Sequence, residues 1–380
     1  MDFKNPPEDQ EIIDMVRDFC LKEVQPLAAQ LDEEEKFPAE TIRKFGEMGI
    51  MGLPYPVKYG GAGLSYVTYI GTVSEIARHC AATSITVSAH TSLCCGPIFA
   101  YGTVEQKMKF LPPLVKGERL GAFGFTEPSA GTDGANQKTI AEDKGDHWLI
   151  NGSKVFITNG GYAETLVITA MTDKDKGHRG MSMFIIEKGF PGFSVGVHEK
   201  KMGIRASSTT ELVFEDMIVP KENLLGELNK GFYQAMATFD SGRIGIGAQA
   251  LGIAESAIEE CIKYTSQRIQ FGQPISRFQN TQFQLADMAT RVEAARLLIC
   301  RAAQAKQDRE PYSHLAAQAK LFASETATDV TRRCLQLAGG YGYMREYPFE
   351  RFMRDAKITE IYEGTSEVQR MVIANNMGLR

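Results

Sequence analysis

Apolar side chains near the start of the chain recur at three- and four-residue steps: Ile12, Ile13, Val16, Phe19, Cys20 and Val24. That is the repeat of one helix face, and Pro26 interrupts it. Residues 39–49, 66–82 and 84–101 continue the helical texture. Thr103-x-x-Gln106 has the form of a capping box, which predicts a short helix ended by Pro112-Pro113. Near Leu120 the pattern changes. Residues 121–127, 136–142, 147–157, 165–171, 181–187, 193–199 and 209–218 are short runs rich in β-branched and aromatic residues. Gly, Asp, Asn and Pro separate them, and they predict a sheet or small barrel. Lys144-Gly145-Asp146 and Asn151-Gly152 carry tight-turn chemistry. From about Gly231 the helical period returns near 231–267, 278–307, 313–339 and 366–377, the number and length of a four-helix bundle. The order is α, then β, then α.

Composition narrows the class. The chain has 380 residues, 43% hydrophobic and 23% charged, with a formal net charge of -5. Such a chain holds about two or three domains with an ample core, and its acidic balance argues against a general nucleic-acid binder. Asp32-Glu33-Glu34-Glu35 reads as a solvated helix end. Met1–Pro6 lacks the basic start and apolar run of a secretory signal, and no apolar run approaches the roughly 20 residues of a membrane span. The seven cysteines are scattered without a C-x-x-C, as free thiols of a reducing compartment would be. The six histidines show no metal-ligand spacing, so no metal site is expected. Trp148, on a strand, is read as structural.

Several stretches carry candidate chemistry. Glu363-Gly364 precedes Ser366-x-x-Gln369, a second capping-box form, so a carboxylate stands at the junction of a rigid helix. A general base needs that placement, although a Glu before a cap is by itself more often a solvated surface residue. Gly245-x-Gly247-x-x-Ala250 matches the dinucleotide fingerprint, but it lies inside a helical run with no strand before it. Close helix packing is the better reading. Phe123–Gly134 is a strand running into a loop dense in Gly and hydroxyl residues, suited to a phosphate or a polar ring edge; Phe156–Gly161 is a strand end of the same character. Gln336–Tyr343 closes a helix with paired glycines. Arg268-x-x-Phe271-Gly272 and Gln279 join two helices, and Asp240-Ser241-Gly242-Arg243 begins another, with Asp240 a reasonable N-cap.

Three of these segments in register, Thr126–Asp133, Asp240–Arg243 and Ile361–Arg370, closely resemble the acyl-CoA dehydrogenase family, and within it the short-chain (butyryl-CoA) type. The likeness covers essentially the whole chain. It implies an α+β multidomain fold: an N-terminal helical domain (1–119), a middle β domain (120–228) and a C-terminal four-helix bundle (229–380). It implies an FAD enzyme, a homotetramer, that converts a short-chain acyl-CoA to the trans-2-enoyl-CoA and passes electrons to electron-transferring flavoprotein. A cytoplasmic location follows, or a mitochondrial matrix one if a transit peptide has been removed.

By the same resemblance Glu363 is the catalytic base. Phe123, Phe125, Thr126, Gly131 and Thr132, with Phe156, Ile157 and Thr158, line the flavin and pyrophosphate. Arg268, Phe271 and Gln279, with Gln336, Leu337, Ala338, Gly339 and Gly340, reach an FAD held mainly by the neighbouring subunit. Thr365, Ser366 and Glu367 cover the flavin's other end, while Thr132, Asp240, Ser241, Gly242, Arg243 and Gly364 contact acyl-CoA. In the isovaleryl-CoA and long-chain dehydrogenases the base stands where this chain has Gly242, and many relatives carry Trp where it has Phe156. An acyl-CoA oxidase and a decarboxylating glutaryl-CoA enzyme are the nearest rival chemistries; a chain that has lost catalysis is the non-enzymatic one. The helix around Ser88–Pro97 offers no Arg for a distal carboxylate, and His90 there reads as neutral and buried.

Overall fold

A computed structural model describes residues 7–379; the Met1–Pro6 stretch read for targeting lies outside them. Helices α1 (Pro7–Phe19), α2 (Gln25–Glu33), α3 (Ala39–Glu47), α4 (Tyr66–His79), α5 (Ala81–Ser88), α6 (Gly96–Tyr101) and α7 (Val104–Val115) come first. Two π-wound stretches, Cys20–Val24 and Ala89–Cys95, join their neighbours without a break in direction. Cys80, in extended backbone, separates α4 from α5. Helix α7 opens on a full capping box, with Thr103 and Gln106 bonding each other's backbone at 3.2 and 3.0 Å. It does not stop at Pro112-Pro113. Proline fixes a helical φ and only removes a donor, so the turn runs on to Val115, where Lys116 N–H reaches the Pro112 carbonyl.

The middle of the chain forms an eight-stranded mixed sheet: β1 (Gly121–Gly124), β2 (Ile140–Asp143), β3 (His147–Thr158), β4 (Thr165–Met171), β5 (Met181–Glu187), β6 (Phe193–His198), β7 (Thr209–Pro220) and β8 (Leu224–Leu225). Its order is β6-β7-β3-β2-β4-β5-β8, with β1 laid parallel on β4. Beyond β1 the Thr126 carbonyl accepts from Val155 N–H at 2.8 Å, so the sheet curls back toward β3. Gly145, at φ 96, makes the β2–β3 hairpin as its sequence promised. Asn151-Gly152 does not turn the chain. It sits in mid-β3 at a register shift, where the Asn151 side chain exchanges two bonds with Asp216 and Gly152 presses on Thr139. This is a bulge, the other use of a permissive glycine in a strand. Trp148 is buried edge-on to Phe184, with Lys221 over its ring at 4.0 Å.

Helices α8 (Gly231–Gln267), α9 (Gln279–Gln307), α10 (Ser313–Ala338), α11 (Gly340–Tyr343), α12 (Phe349–Ile358) and α13 (Ser366–Asn376) complete the chain. A ribbon of β9 (Ile269–Gln270) and β10 (Gln273–Pro274) links α8 to α9. The bundle is therefore joined by α12, which the four-helix expectation left out. Small residues let α8 lie against its neighbours. A Cβ on Gly245 would overlap Ser88 Oγ, and one on Gly252 would overlap the Ser74 carbonyl. The G-x-G-x-x-A run is thus a packing face, as read. One apolar core, including Val16, Val73, Ile76, Ile246, Ala250 and Ile299, spans the N- and C-terminal helices.

The acidic run ends α2 with Glu33, Glu34 and Glu35 exposed, as read, and only Asp32 departs from that reading. Asp32 is buried and bonds Arg354 of α12 at 2.7 Å, and Glu33 bonds Arg345 at 2.5 Å. Two carboxylates thereby tie the first domain to the last. All seven cysteines are free, six of them buried. Among the described residues no helix is long and apolar enough to cross a membrane.

Candidate active site

Glu363 follows α12 in a turn that the sequence makes unusual. Its φ is 52° and that of Gly364 is 95°, both left-handed. A non-glycine residue holds such a backbone at a cost of about 1–3 kcal/mol, which the surroundings must offset. Two donors do so. Lys320 Nζ of α10 and Gln369 Nε2 of α13 bond the Gly364 carbonyl at 2.8 and 2.7 Å. The cap of α13 is Thr365, which accepts from Val368 N–H at 3.4 Å, and not Ser366. Gln369, the far end of the expected box, has turned inward to grip the turn.

The result is a carboxylate aimed inward. The residue as a whole is half-buried, yet Glu363 Oε2 is shut off from solvent and has no hydrogen-bond partner. Burial pushes the carboxyl up to about 8, against the opposing pull of Lys320 and Arg243. The Glu363 N–H is used by no acceptor among the described residues. A carboxylate oxygen and a backbone amide of one residue are thus both left without a partner among the described residues.

Helix α8 supplies the opposite wall. A Cβ on Gly242 would overlap Glu363 Oε2 and come within 2.8 Å of Leu93 Cδ2. The missing side chain is the room the carboxylate occupies. Ser241 and Arg243 are buried; Asp240 is not an N-cap but lies inside α8, bonded to Arg243 at 2.6 Å and to Ser313 at 3.0 Å. Burial raises the pKa of Asp240 despite that pair. One turn back on the same face, Phe239 meets Phe123 and Phe125 edge-on at 5.5 and 5.2 Å. The flavin-loop strand, the D-S-G-R turn and Glu363 are thus brought together.

The loop after β1 is held from beneath. Buried Glu127 bonds buried Lys154 at 2.7 Å, and Lys154 also reaches the Phe125 carbonyl at 3.2 Å and Gln137 at 2.9 Å. Thr126 is half-buried, Thr132 exposed, and a Cβ on Gly131 would meet open space. Phe156 sits at the β3 bulge with φ 61 and is 64% exposed, so strained backbone turns an aromatic face outward. Ile157 is different: its side chain points into the sheet core, and only its backbone can meet a ligand.

The remaining expected cofactor residues stand elsewhere. Phe271 and Gly272, at φ 51 and 77, form the tight turn of the β9–β10 ribbon, and Phe271 is 94% exposed. Arg268 lies over the Tyr341 ring at 5.3 Å, and with Leu337 to Gly340 it borders an open groove of about 580 Å³. Gln279 and Gln336 are exposed nearby on α9 and α10. From Gly242 to Arg268 the helix rises by roughly 39 Å at 1.5 Å per residue, so the two sets do not meet within one chain.

These residues fit FAD. An outward aromatic ring, an open glycine loop, the partnerless buried hydroxyl of Ser366 and the partnerless Arg243 Nε are ready for a flat polar ligand and its thioester companion. Sequence reasoning missed Lys320, Tyr66, Tyr69 and Tyr362 around Glu363. Lys320 had a signal: it is the lone charge on a face built from Ala316, Ala319 and Ala323. His90 is neutral as expected, its Nδ1 accepting from Gly121 N–H at 2.8 Å and its Nε2 donating to the Leu114 carbonyl at 3.1 Å. Burial lowers it to about 4.

The three parts of the chain match the descriptions "Acyl-CoA dehydrogenase, N-terminal domain" over residues 6–118, "middle domain" over 122–217 and "C-terminal domain" over 229–378. The chain belongs to the acyl-CoA dehydrogenase family, a class of flavin-dependent oxidoreductases. It is 56% identical over 377 residues to the short-chain specific acyl-CoA dehydrogenase of Clostridium acetobutylicum, covering 99% of this chain and 100% of that one. The solved butyryl-CoA dehydrogenase from Megasphaera elsdenii superposes at a TM-score of 0.98 and 49% identity, over 99% and 100% of the two chains. A chain in the solved structure of the electron transferring flavoprotein of Acidaminococcus fermentans, concerned with flavin-based electron bifurcation, matches at 0.98 and 51%, over 99% of each.

Proposed function

We propose that this chain oxidises a short-chain acyl-CoA to the trans-2-enoyl-CoA, with Glu363 as the base and an electron-transferring flavoprotein as the acceptor. One observation carries the reading: a shielded, partnerless carboxylate oxygen fills the space that Gly242 leaves open. The names of the relatives supply the substrate length and the redox partner.

The α-proton of a thioester is too weakly acidic for an ordinary carboxylate. Burial raises the proton affinity of Glu363, which narrows that gap. Its free N–H would donate a hydrogen bond to the thioester oxygen as negative charge develops there. Asp240, Ser241, Arg243, Thr132 and Gly364 would orient the acyl-CoA, with Arg243 Nε still unpartnered. FAD, when bound, supplies the oxidant that accepts the β-hydrogen as hydride. Phe123, Phe125, Thr126, Gly131, Phe156, Thr158 and the backbone of Ile157 would hold it, closed by Thr365–Glu367. Arg268, Phe271, Gln279 and Gln336–Gly340 would reach it from a second copy in a tetramer. The domains divide at 119/120 and 228/229, and the free cysteines suit a cytoplasmic setting.

The test is anaerobic titration of the yellow protein with butyryl-CoA while the flavin band is followed. Glu363→Gln should still bind FAD and thioester but bleach roughly 10³-fold more slowly or worse. A near-normal rate in that variant would refute the assignment.

A further inference from the structure

Lys320 is fully buried on α10, and among the described residues its only side-chain hydrogen bond goes to the Gly364 carbonyl at 2.8 Å. A buried ammonium is costly unless its setting returns something. Here it grips the turn that carries Glu363. The same carbonyl takes Gln369 Nε2 at 2.7 Å, and Gln369 also reaches the Glu363 carbonyl at 3.4 Å. Two helices thus clasp the Gly364–Thr365 peptide group, at the end of a turn of two left-handed residues. Released, that group would be free to rotate, and the turn that aims the Glu363 carboxylate would lose its anchor.

We propose that Lys320 is a positioning residue for the base: by holding the Gly364 carbonyl it fixes the Glu363–Gly364 turn and presents a cation on the side of the carboxylate. The proposal rests on the assignment of Glu363 above. Other groups near the carboxyl contribute less. Arg243 of α8 is occupied by Asp240 at 2.6 Å. Tyr66 and Tyr69 of α4, and Tyr362 beside it, are phenols whose acidity burial suppresses. Leu93 of the π-wound stretch is uncharged, while Glu360 is paired with Lys357 and Glu367 is exposed. Lys320 is the larger of the two cationic influences that favour the ionised carboxylate, and burial brings its own value down to about 8.

The sign follows directly. Without the ammonium the ionised form of Glu363 is less favoured, so its pKa rises and the acid limb of kcat/KM moves to higher pH. Lys320→Gln keeps a donor for the Gly364 carbonyl and removes the charge; Lys320→Met removes both and fills similar space. Both variants, FAD-loaded, should shift the limb upward by about one unit, a roughly tenfold loss below it. Only Lys320→Met should also lower the plateau at high pH. A second readout is the carboxyl titration of residue 363 by difference infrared spectroscopy, with Glu363→Gln subtracted. That band should titrate later in both variants. An unmoved limb and an unmoved band in a folded variant of either kind overturn the proposal. A band that shifts while Glu363→Gln stays active would instead sink the reading of Glu363 as base. The two failures are therefore separable.

Discussion

At Gly242 a single missing methyl decides where the carboxylate can stand. Side chains there and at Glu363 cannot both occupy the space between α8 and the α12–α13 turn, because a Cβ would overlap Glu363 Oε2 and crowd Leu93. Gly242→Ala should therefore leave the fold nearly intact while displacing the base. Since a misplacement of about 1 Å can cost 10²-fold in rate, kcat should fall by roughly that factor with FAD content unchanged. Stopped-flow reduction by butyryl-CoA measures it, and a kcat within twofold of the parent would contradict the geometry. The glycine's identity was plain in the sequence, and the family likeness marked it as unable to be a base. What the sequence did not carry was the clasp by Lys320 and Gln369. Those contacts join residues 44 and five positions away from Gly364, and the first crosses between elements with no local pattern.

Elements were legible where periodicity was strong and misread where a residue serves two purposes. The long runs of α8, α9 and α10 follow the helical repeat closely. Asn151-Gly152, by contrast, has the chemistry of a turn and the position of a bulge, and only the partner strand decides between them. Helix α12 was missed because half its residues are charged and its polar face is spent on other elements. Asp32 binds Arg354, while Asp355 is buried and accepts from Ile204 N–H of the loop after β6. Burial lifts Asp355 to about 6. Its value is raised on folding, so the stability tied to its neutral form is present below the ordinary aspartate range. That stability fades as pH climbs from about 4 to about 6, on the order of 2–3 kcal/mol. Asp355→Asn keeps an oxygen for Ile204 and cannot ionise. The decline of its urea midpoint across that interval should be smaller than the parent's. Identical slopes would mean that Asp355 does not ionise inside the fold.

Across the whole molecule, one long helix separates the Glu363 pocket from the Arg268 turn, and a single chain cannot bring them together. Gly242 faces Glu363 near one end of α8, and Arg268 caps the other, roughly 39 Å away at helical rise. Around Arg268 the surface is unusual for a lone chain: Phe271 is almost wholly exposed, and Tyr341, Tyr343 and Met344 lie open beside the groove. Exposed aromatics grouped with a guanidinium are what an interface with a flat anionic cofactor requires. If the cofactor bridges copies, then FAD retention and assembly must be linked, because each lowers the free energy of the other. Arg268→Ala should weaken FAD binding by about 10- to 100-fold, the loss of a charged hydrogen bond to phosphate. On dilution it should shed FAD and fall to smaller species together, and added FAD should restore both. Sedimentation velocity followed at the flavin band and at the protein band reads the two processes in one run. A small species that keeps its flavin with the parent's affinity would show that each chain holds the cofactor alone, and that the second set of residues has another use.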